Sequence, residues 1–127
     1  LDHFKDVNDR HGHETGDRAL CHVVTVIQNQ MRTVDALGRF GGEEFMVIMP
    51  ATHITGAREA ANRMRVALEE NPLQVHNTTI TLTASFGAAV LGSRESKASV
   101  LRRADAAMYL AKRNGRNRVE VSTTGPG

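Results

Sequence analysis

The chain is poor in the residues that staple, stack or span. It holds one cysteine, Cys21, so no internal disulfide can form, and that usage fits a reducing cytoplasm. Cys21 falls within a helical pattern and reads as a small packing residue rather than a nucleophile. Tryptophan is absent and aromatics make up 4% of the residues, which argues against a stacking platform for single-stranded nucleic acid, so no nucleic-acid partner is expected. No apolar run approaches a membrane span, and the opening LDHFKDVND has neither the basic start nor the apolar core of a signal segment. A cytoplasmic location follows as the expectation, either free or as the cytoplasmic portion of a membrane-anchored sensor protein. The six histidines have no cysteine or acidic partners at zinc-binding spacing.

What is present is enough for one core. The 127 residues are 40% hydrophobic, which supports a single domain without repeats, and the net charge of +2 suits phosphate-bearing ligands without identifying one. From Asp17, the positions Leu20, Val23, Val24, Ile27 and Met31 recur at helical spacing opposite Arg18, Gln28 and Arg32. Ala36 to Phe40 and Phe45 to Met49 flank Gly41-Gly42, the pattern of a β-hairpin with positive φ at its tip. The second arm is apolar without alternation, as in a central strand covered on both faces. A second helix follows, with Thr52 or Thr55 as N-cap and its end near Asn71-Pro72. Ile80, Leu82, Ala84, Phe86, Ala88 and Val90 then alternate with small polar residues in one long strand, with Val75 across a turn as its hairpin partner. A third helix ends at Gly115 as its C′ residue, and Arg118 to Val121 reads as a short edge strand.

This order predicts an α/β (α+β) fold, a ferredoxin-like β-α-β-β-α-β core whose antiparallel-containing central sheet carries helices packed on it. The strand that should open such a unit would end near Leu1-Asp2, so the chain is expected to be a piece of a longer protein. Residues 1–121 are expected to form the domain and 122–127, STTGPG, a flexible tail.

The chemistry concentrates in GRFGGEEFMVIMP. Glu43 and Glu44 enter the strand on opposite faces and so have different jobs. Taken alone, they read either as solvated charges that discourage edge pairing or as a carboxylate beside two glycines that lets a hard cation and its phosphates approach the backbone.

Together with LDHFKDVND, GHETGD, SFGAA and ADAAMYLAKRNGRNRV, this segment closely resembles the GGDEF domain of bacterial diguanylate cyclases, in the GGEEF form, along essentially the whole chain. The resemblance implies a fold like the palm of nucleotide polymerases and condensation of two GTP molecules into cyclic di-GMP with release of two pyrophosphates. It also implies an obligate homodimer holding one GTP per domain, a Mg2+ cofactor with Mn2+ as alternative, and an upstream sensor or receiver domain. The alternative is a catalytically weak or inactive module that binds GTP or cyclic di-GMP.

Residue by residue, the resemblance makes Asn8, His13 and Asp17 substrate positions, with Asn8 and Asp17 reading guanine. By itself Asp17 is also a first-turn acid favoured by the helix dipole, and Asn8 an ordinary turn residue. The backbone near His3, Phe4 and Lys5 is implied to cradle phosphates, joined by Gly41 and Gly42 and by the cations Lys112 and Arg116. Glu43 is implied as metal ligand and base for the 3′-hydroxyl, Glu44 as a supporting catalytic residue, and the carbonyl of Leu1 as a further metal ligand. A second metal carboxylate of the family would precede Leu1, so a weakened metal site is expected. Arg32 and Asp35, in RTVD, match the product-binding RxxD inhibitory site.

Overall fold

The computed structural model describes residues 1–123, so residues 124–127 of the expected tail lie outside the described residues. Ser122, assigned to that tail, donates its backbone N–H to the Ala88 carbonyl at 2.8 Å.

Among the described residues the chain forms four helices and six short strands. Two helices lead, α1 over Phe4–His11 and α2 over His13–Gln28. The hairpin β1 (Ala36–Gly41) and β2 (Glu44–Ile48) comes next, then α3 (Ile54–Glu70), the small hairpin β3 (Leu73–Val75) and β4 (Thr78–Ile80), β5 (Ser85–Ala88), α4 (Lys97–Arg113) and β6 (Arg118–Val121).

The helical pattern expected from Asp17 starts four residues earlier and is preceded by a helix that periodicity did not show. α1 has only eight residues and one fully buried side chain, Val7, so it has almost no apolar stripe to detect. Asp6 in its first turn and Arg10 and His11 in its last suit the helix dipole, and Gly12, at φ 89°, separates it from α2. On α2 the buried stripe runs through Ala19, Leu20, Val23, Val26 and Ile27. Cys21 lies off that stripe and is exposed, which corrects its reading as a packing residue.

The mixed α/β class holds, but one continuous sheet does not form. Three two-stranded sheets are present among the described residues: antiparallel β1–β2, antiparallel β3–β4 and parallel β5–β6. The long strand expected through residues 79–90 is broken between Ile80 and Ser85. Its apolar alternation persists, with Leu82 and Ala84 buried. The carbonyl of Thr83 is taken by the N–H of Asp2 at 2.8 Å instead of by a neighbouring strand. The second hairpin arm is also not covered on both faces: β2 is half-buried along most of its length, and Ile48 is exposed. Leu1 and Asp2 bridge the pieces, because the Leu1 amino group donates to the Glu43 carbonyl at 3.2 Å while Asp2 bonds to Thr83.

The core lies between α2, α3 and the strands, around Val23, Met64, Leu68 and Leu82, with Phe45, Val47 and Phe86 packed against it. α3 starts after His53, which provides no side-chain cap, rather than after Thr52 or Thr55. Thr52 is diverted, since its hydroxyl donates to the Pro50 carbonyl at 3.0 Å and accepts from Arg32 at 2.9 Å. α4 is capped by Ser96, whose Oγ accepts from the Ser99 N–H. Glu95, with its side chain wholly covered, is gripped by the Arg103 guanidinium at 2.6 and 2.8 Å and by Ser99 and the Gly92 N–H. These bonds, with Arg103's the largest effect, hold the Glu95 carboxyl at about 2.

Candidate functional site

The glycine tip forms as its composition requires. Gly42 sits at φ 50°, a left-handed conformation that side chains disfavour, and the register slips between Arg39 and Gly41, so that Gly41 pairs with Glu44. Arg39 fastens the turn by donating Nε–H to the Gly42 carbonyl at 2.9 Å. A β-carbon at Gly41 or Gly42 would meet nothing within 4 Å, so the backbone there is open to an approaching ligand. Glu43 occupies the turn itself and Glu44 opens β2, both half-buried.

Beside this tip, the chain start and the end of α4 converge. The Leu1 nitrogen donates to the Glu43 carbonyl at 3.2 Å, and Asp2, Lys112, Glu43 and Glu44 all lie near enough to that nitrogen for their charges to be felt there. α1 begins immediately after, at Phe4, behind His3 in a left-handed conformation and without a side-chain cap. Its first N–H groups therefore have no acceptor within the helix, the arrangement that receives anions. Phe4 is half-buried and Lys5 exposed. Arg116 lies in the turn after α4, at φ 64°, with its N–H on the Ala111 carbonyl at 3.0 Å. The structure thus gathers Leu1, Glu43, Glu44, Lys112 and the amino-terminal end of α1.

Asn8 and Asp17 come together through a residue that motif reading passed over. Gly16 is buried on α2, and a β-carbon there would lie 2.9 Å from Asn8 Cγ and closer still to its Oδ1. The Asn8 amide therefore rests on the bare backbone of α2, one residue from Asp17. Gly16 lies one residue ahead of the helical pattern read from Asp17, so nothing local marked it as a helix residue. Asp17 is exposed and borders a groove of about 440 Å³ between α2 and β3 that Arg18, Cys21 and Leu73 also line. His13 is exposed at the first position of α2.

Arg32 and Asp35 are elsewhere, at the opposite end of β1 from the glycines, roughly 17 Å away at about 3.3 Å per strand residue. They are closed on one another. Arg32 reaches Asp35 Oδ1 at 2.7 Å through its terminal nitrogen and at 3.1 Å through Nε, and the same terminal nitrogen donates to the Pro50 carbonyl and Thr52 hydroxyl at 2.9 Å each. The Arg32 hydrogen bond holds the Asp35 carboxyl below its usual range and raises the guanidinium in turn.

Asp2 was also missed as a contributor. It is buried and accepts from Ser85 Oγ at 2.6 Å, Thr83 Oγ1 at 2.9 Å and the Asn117 N–H at 3.0 Å. These partners are more than 80 residues away in the chain, beyond any local pattern.

A family model described as "Diguanylate cyclase, GGDEF domain" matches residues 1–118. Diguanylate cyclase A of Treponema denticola is 39% identical over 123 residues, covering 96% of this chain and 33% of that protein. Diguanylate cyclase DgcP of Pseudomonas aeruginosa is 38% identical over 122 residues, covering 96% of this chain and 18% of that protein. The chain spans a third or less of the length of these relatives. Among solved structures, the GGDEF domain of DgcB from Caulobacter crescentus in complex with c-di-GMP superposes with a TM-score of 0.92 at 37% identity, over 97% of this chain and 74% of that one. The active GGEEF domain of a diguanylate cyclase from Vibrio cholerae gives 0.83 at 35% identity, over 98% of this chain and 79% of that one. With the family model, the relatives and the fold in agreement, the chain belongs to the GGDEF family of diguanylate cyclase domains.

Proposed function

We propose that this domain binds GTP and, paired with a second copy, condenses two GTP molecules into cyclic di-GMP. The observation that carries this reading is the open glycine tip with Glu43 beside it, joined through the Leu1 nitrogen to the uncapped start of α1. In each half-reaction the 3′-oxygen of one GTP bonds to the α-phosphorus of the other, the bond from that phosphorus to the bridging oxygen breaks, and pyrophosphate leaves. Two such steps close the ring.

The α1 amides and the cations Lys5, Lys112 and Arg116 hold the triphosphate and offset its charge, so most of the rate comes from alignment and electrostatics. Asn8 and Asp17 read guanine. A carboxylate accepts from guanine N1–H and the exocyclic amine, whereas adenine offers a bare acceptor at N1, and His13 borders the same end of the site. Glu43 takes the proton from the 3′-hydroxyl and Glu44 supports the turn.

The donors at the tip are hard oxygens, the Glu43 carboxylate and the Leu1 carbonyl, which suits a divalent cation such as Mg2+ or Mn2+. Asp2 is buried and already accepts three hydrogen bonds from protein donors, so it is assigned no part in holding the ion. When bound, the ion would stabilise the charge that develops on the phosphoryl oxygens.

The full protein is read as a dimer governed by an upstream sensor or receiver domain, with this domain, residues 1–121, on the cytoplasmic side where GTP is found. Among the described residues no helix is long and apolar enough to cross a membrane. Arg32 and Asp35 take the guanine of cyclic di-GMP once their mutual pair opens, which places feedback away from the tip. A second reading is a module that binds GTP or cyclic di-GMP without turnover.

The test is incubation with GTP and Mg2+ and detection of cyclic di-GMP by mass spectrometry. Product from GTP but not from ATP, lost in Glu43→Gln, supports the cyclase. Binding of GTP without product under dimer-promoting conditions selects the second reading.

A further inference from the structure

We infer that Asp2 is a positioning residue for the triphosphate, joining the two phosphate-facing elements into one rigid cradle. This rests on the GTP reading of the site and concerns a residue that the proposed chemistry does not use.

Asp2 stands at a three-way junction. Its own N–H donates to the Thr83 carbonyl at 2.8 Å, which fixes it to the segment entering β5. Its Oδ1 accepts from Ser85 Oγ at 2.6 Å, and its Oδ2 from Thr83 Oγ1 at 2.9 Å and from the Asn117 N–H at 3.0 Å. On its carboxyl side lies His3 at φ 55°, and then the first free amides of α1. The residue is 5% exposed, so it does not itself meet solvent-borne phosphate.

The bond to Asn117 is the informative one. Gly115, Arg116 and Asn117 are three successive residues at φ 121°, 64° and 45°, and Arg116 carries a side chain that disfavours this region. Such a turn persists only where its surroundings over-determine it. Here Asn117 is held at three points: its N–H by Asp2, its Oδ1 by Arg65 at 3.2 Å, and its Nδ2 by Glu69 at 2.5 Å. Arg116 precedes Asn117 directly, so the Asp2 carboxylate sets the height of the Arg116 turn relative to the start of α1. No other bond in the structure joins those two elements directly among the described residues. A site that gains rate by alignment is sensitive to small displacements of this kind.

Purely structural work by Asp2 and positioning of phosphate ligands separate in nucleotide selectivity. The experiment measures, by calorimetry on the protein with Mg2+, affinities for GTP, GDP and GMP in wild type, Asp2→Ala, Asp2→Asn and Ser85→Ala, each with its melting temperature. Positioning predicts that Asp2→Ala weakens GTP about tenfold while GMP stays within about twofold, because guanine contacts survive and phosphate contacts are misplaced. Asp2→Asn restores most of the GTP preference, since its Oδ1 can still accept from Asn117 while its amide donates to a hydroxyl that rotates to accept. Ser85→Ala removes one anchor of the carboxylate and shifts the GTP to GMP ratio in the same direction by a smaller factor; this variant carries the test where Asp2→Ala does not fold. An unchanged GTP to GMP ratio in either truncation, whatever the melting temperature, overturns the inference. A wild-type protein that binds none of the nucleotides overturns the GTP reading itself, and this inference with it.

Discussion

Gly16 makes the guanine end of the site testable without touching a polar group. Alanine at a helix interior is ordinarily better than glycine by about 1 kcal/mol, so Gly16→Ala should leave the melting temperature unchanged or raise it slightly. The added β-carbon, however, would stand 2.9 Å from Asn8 Cγ and closer to Oδ1, where real β-carbons keep at least 3.0 Å. The atoms in the way belong to the far end of a movable side chain, so the helix keeps its course and the Asn8 amide swings off α2. A hydrogen bond from that amide to guanine is worth about 0.5 to 1.5 kcal/mol, which predicts a GTP affinity weaker by roughly two- to tenfold. Calorimetric titration with GTP measures it. Asn8→Ala should lose the same amount, and the double variant should lose no more than either single one, because both remove one contact. Wild-type affinity in Gly16→Ala, or losses that add in the double variant, would refute the reasoning.

Gly87→Ala should be costly in stability, because its β-carbon would meet backbone, lying 2.8 Å from Met108 Cα and closer to the Ala104 carbonyl and Met108 nitrogen. Helix α4 must then lift from β5, and urea unfolding should show a loss of about 1 to 3 kcal/mol. Glu95 titrates near 2 in the folded chain against an ordinary 4.5, so its stabilisation is full above pH 4.5 and disappears as pH falls from there through 2. Unfolding curves at pH 6 and pH 3 should therefore differ more for wild type than for Glu95→Gln, and equal slopes would contradict the assignment. Arg32→Ala should abolish inhibition by cyclic di-GMP while synthesis from GTP continues, since Arg32 and the glycine tip occupy opposite ends of β1; inhibition retained at wild-type concentration would remove the feedback role.

The candidate motifs were legible because each is local: the tip glycines lie directly beside the acids Glu43 and Glu44, and the cations Lys112 and Arg116 lie within five residues of each other at the end of α4. The hairpins β1–β2 and β3–β4 were legible for the same reason, since a turn residue and its flanking strands are contiguous. Helix α1 was not, because eight residues with one buried side chain give no period. The broken strand after Ile80 was hidden because its alternation continues unbroken while its backbone partner, Asp2, lies at the other end of the chain. Burial on α2 was misjudged at Cys21 by position alone, as the residue sits beside the stripe rather than in it. Asp2 and Asn117 drew no attention because their importance arises from a contact 115 residues long in sequence.

A crystal of this protein with a non-hydrolysable GTP analogue and Mg2+ tests the central claim most directly. The account predicts guanine against Asn8 and Asp17, the triphosphate on the first amides of α1 with Lys112 and Arg116 beside it, and the ion on Glu43. A nucleotide bound elsewhere, with the glycine tip and the start of α1 bare, would contradict it.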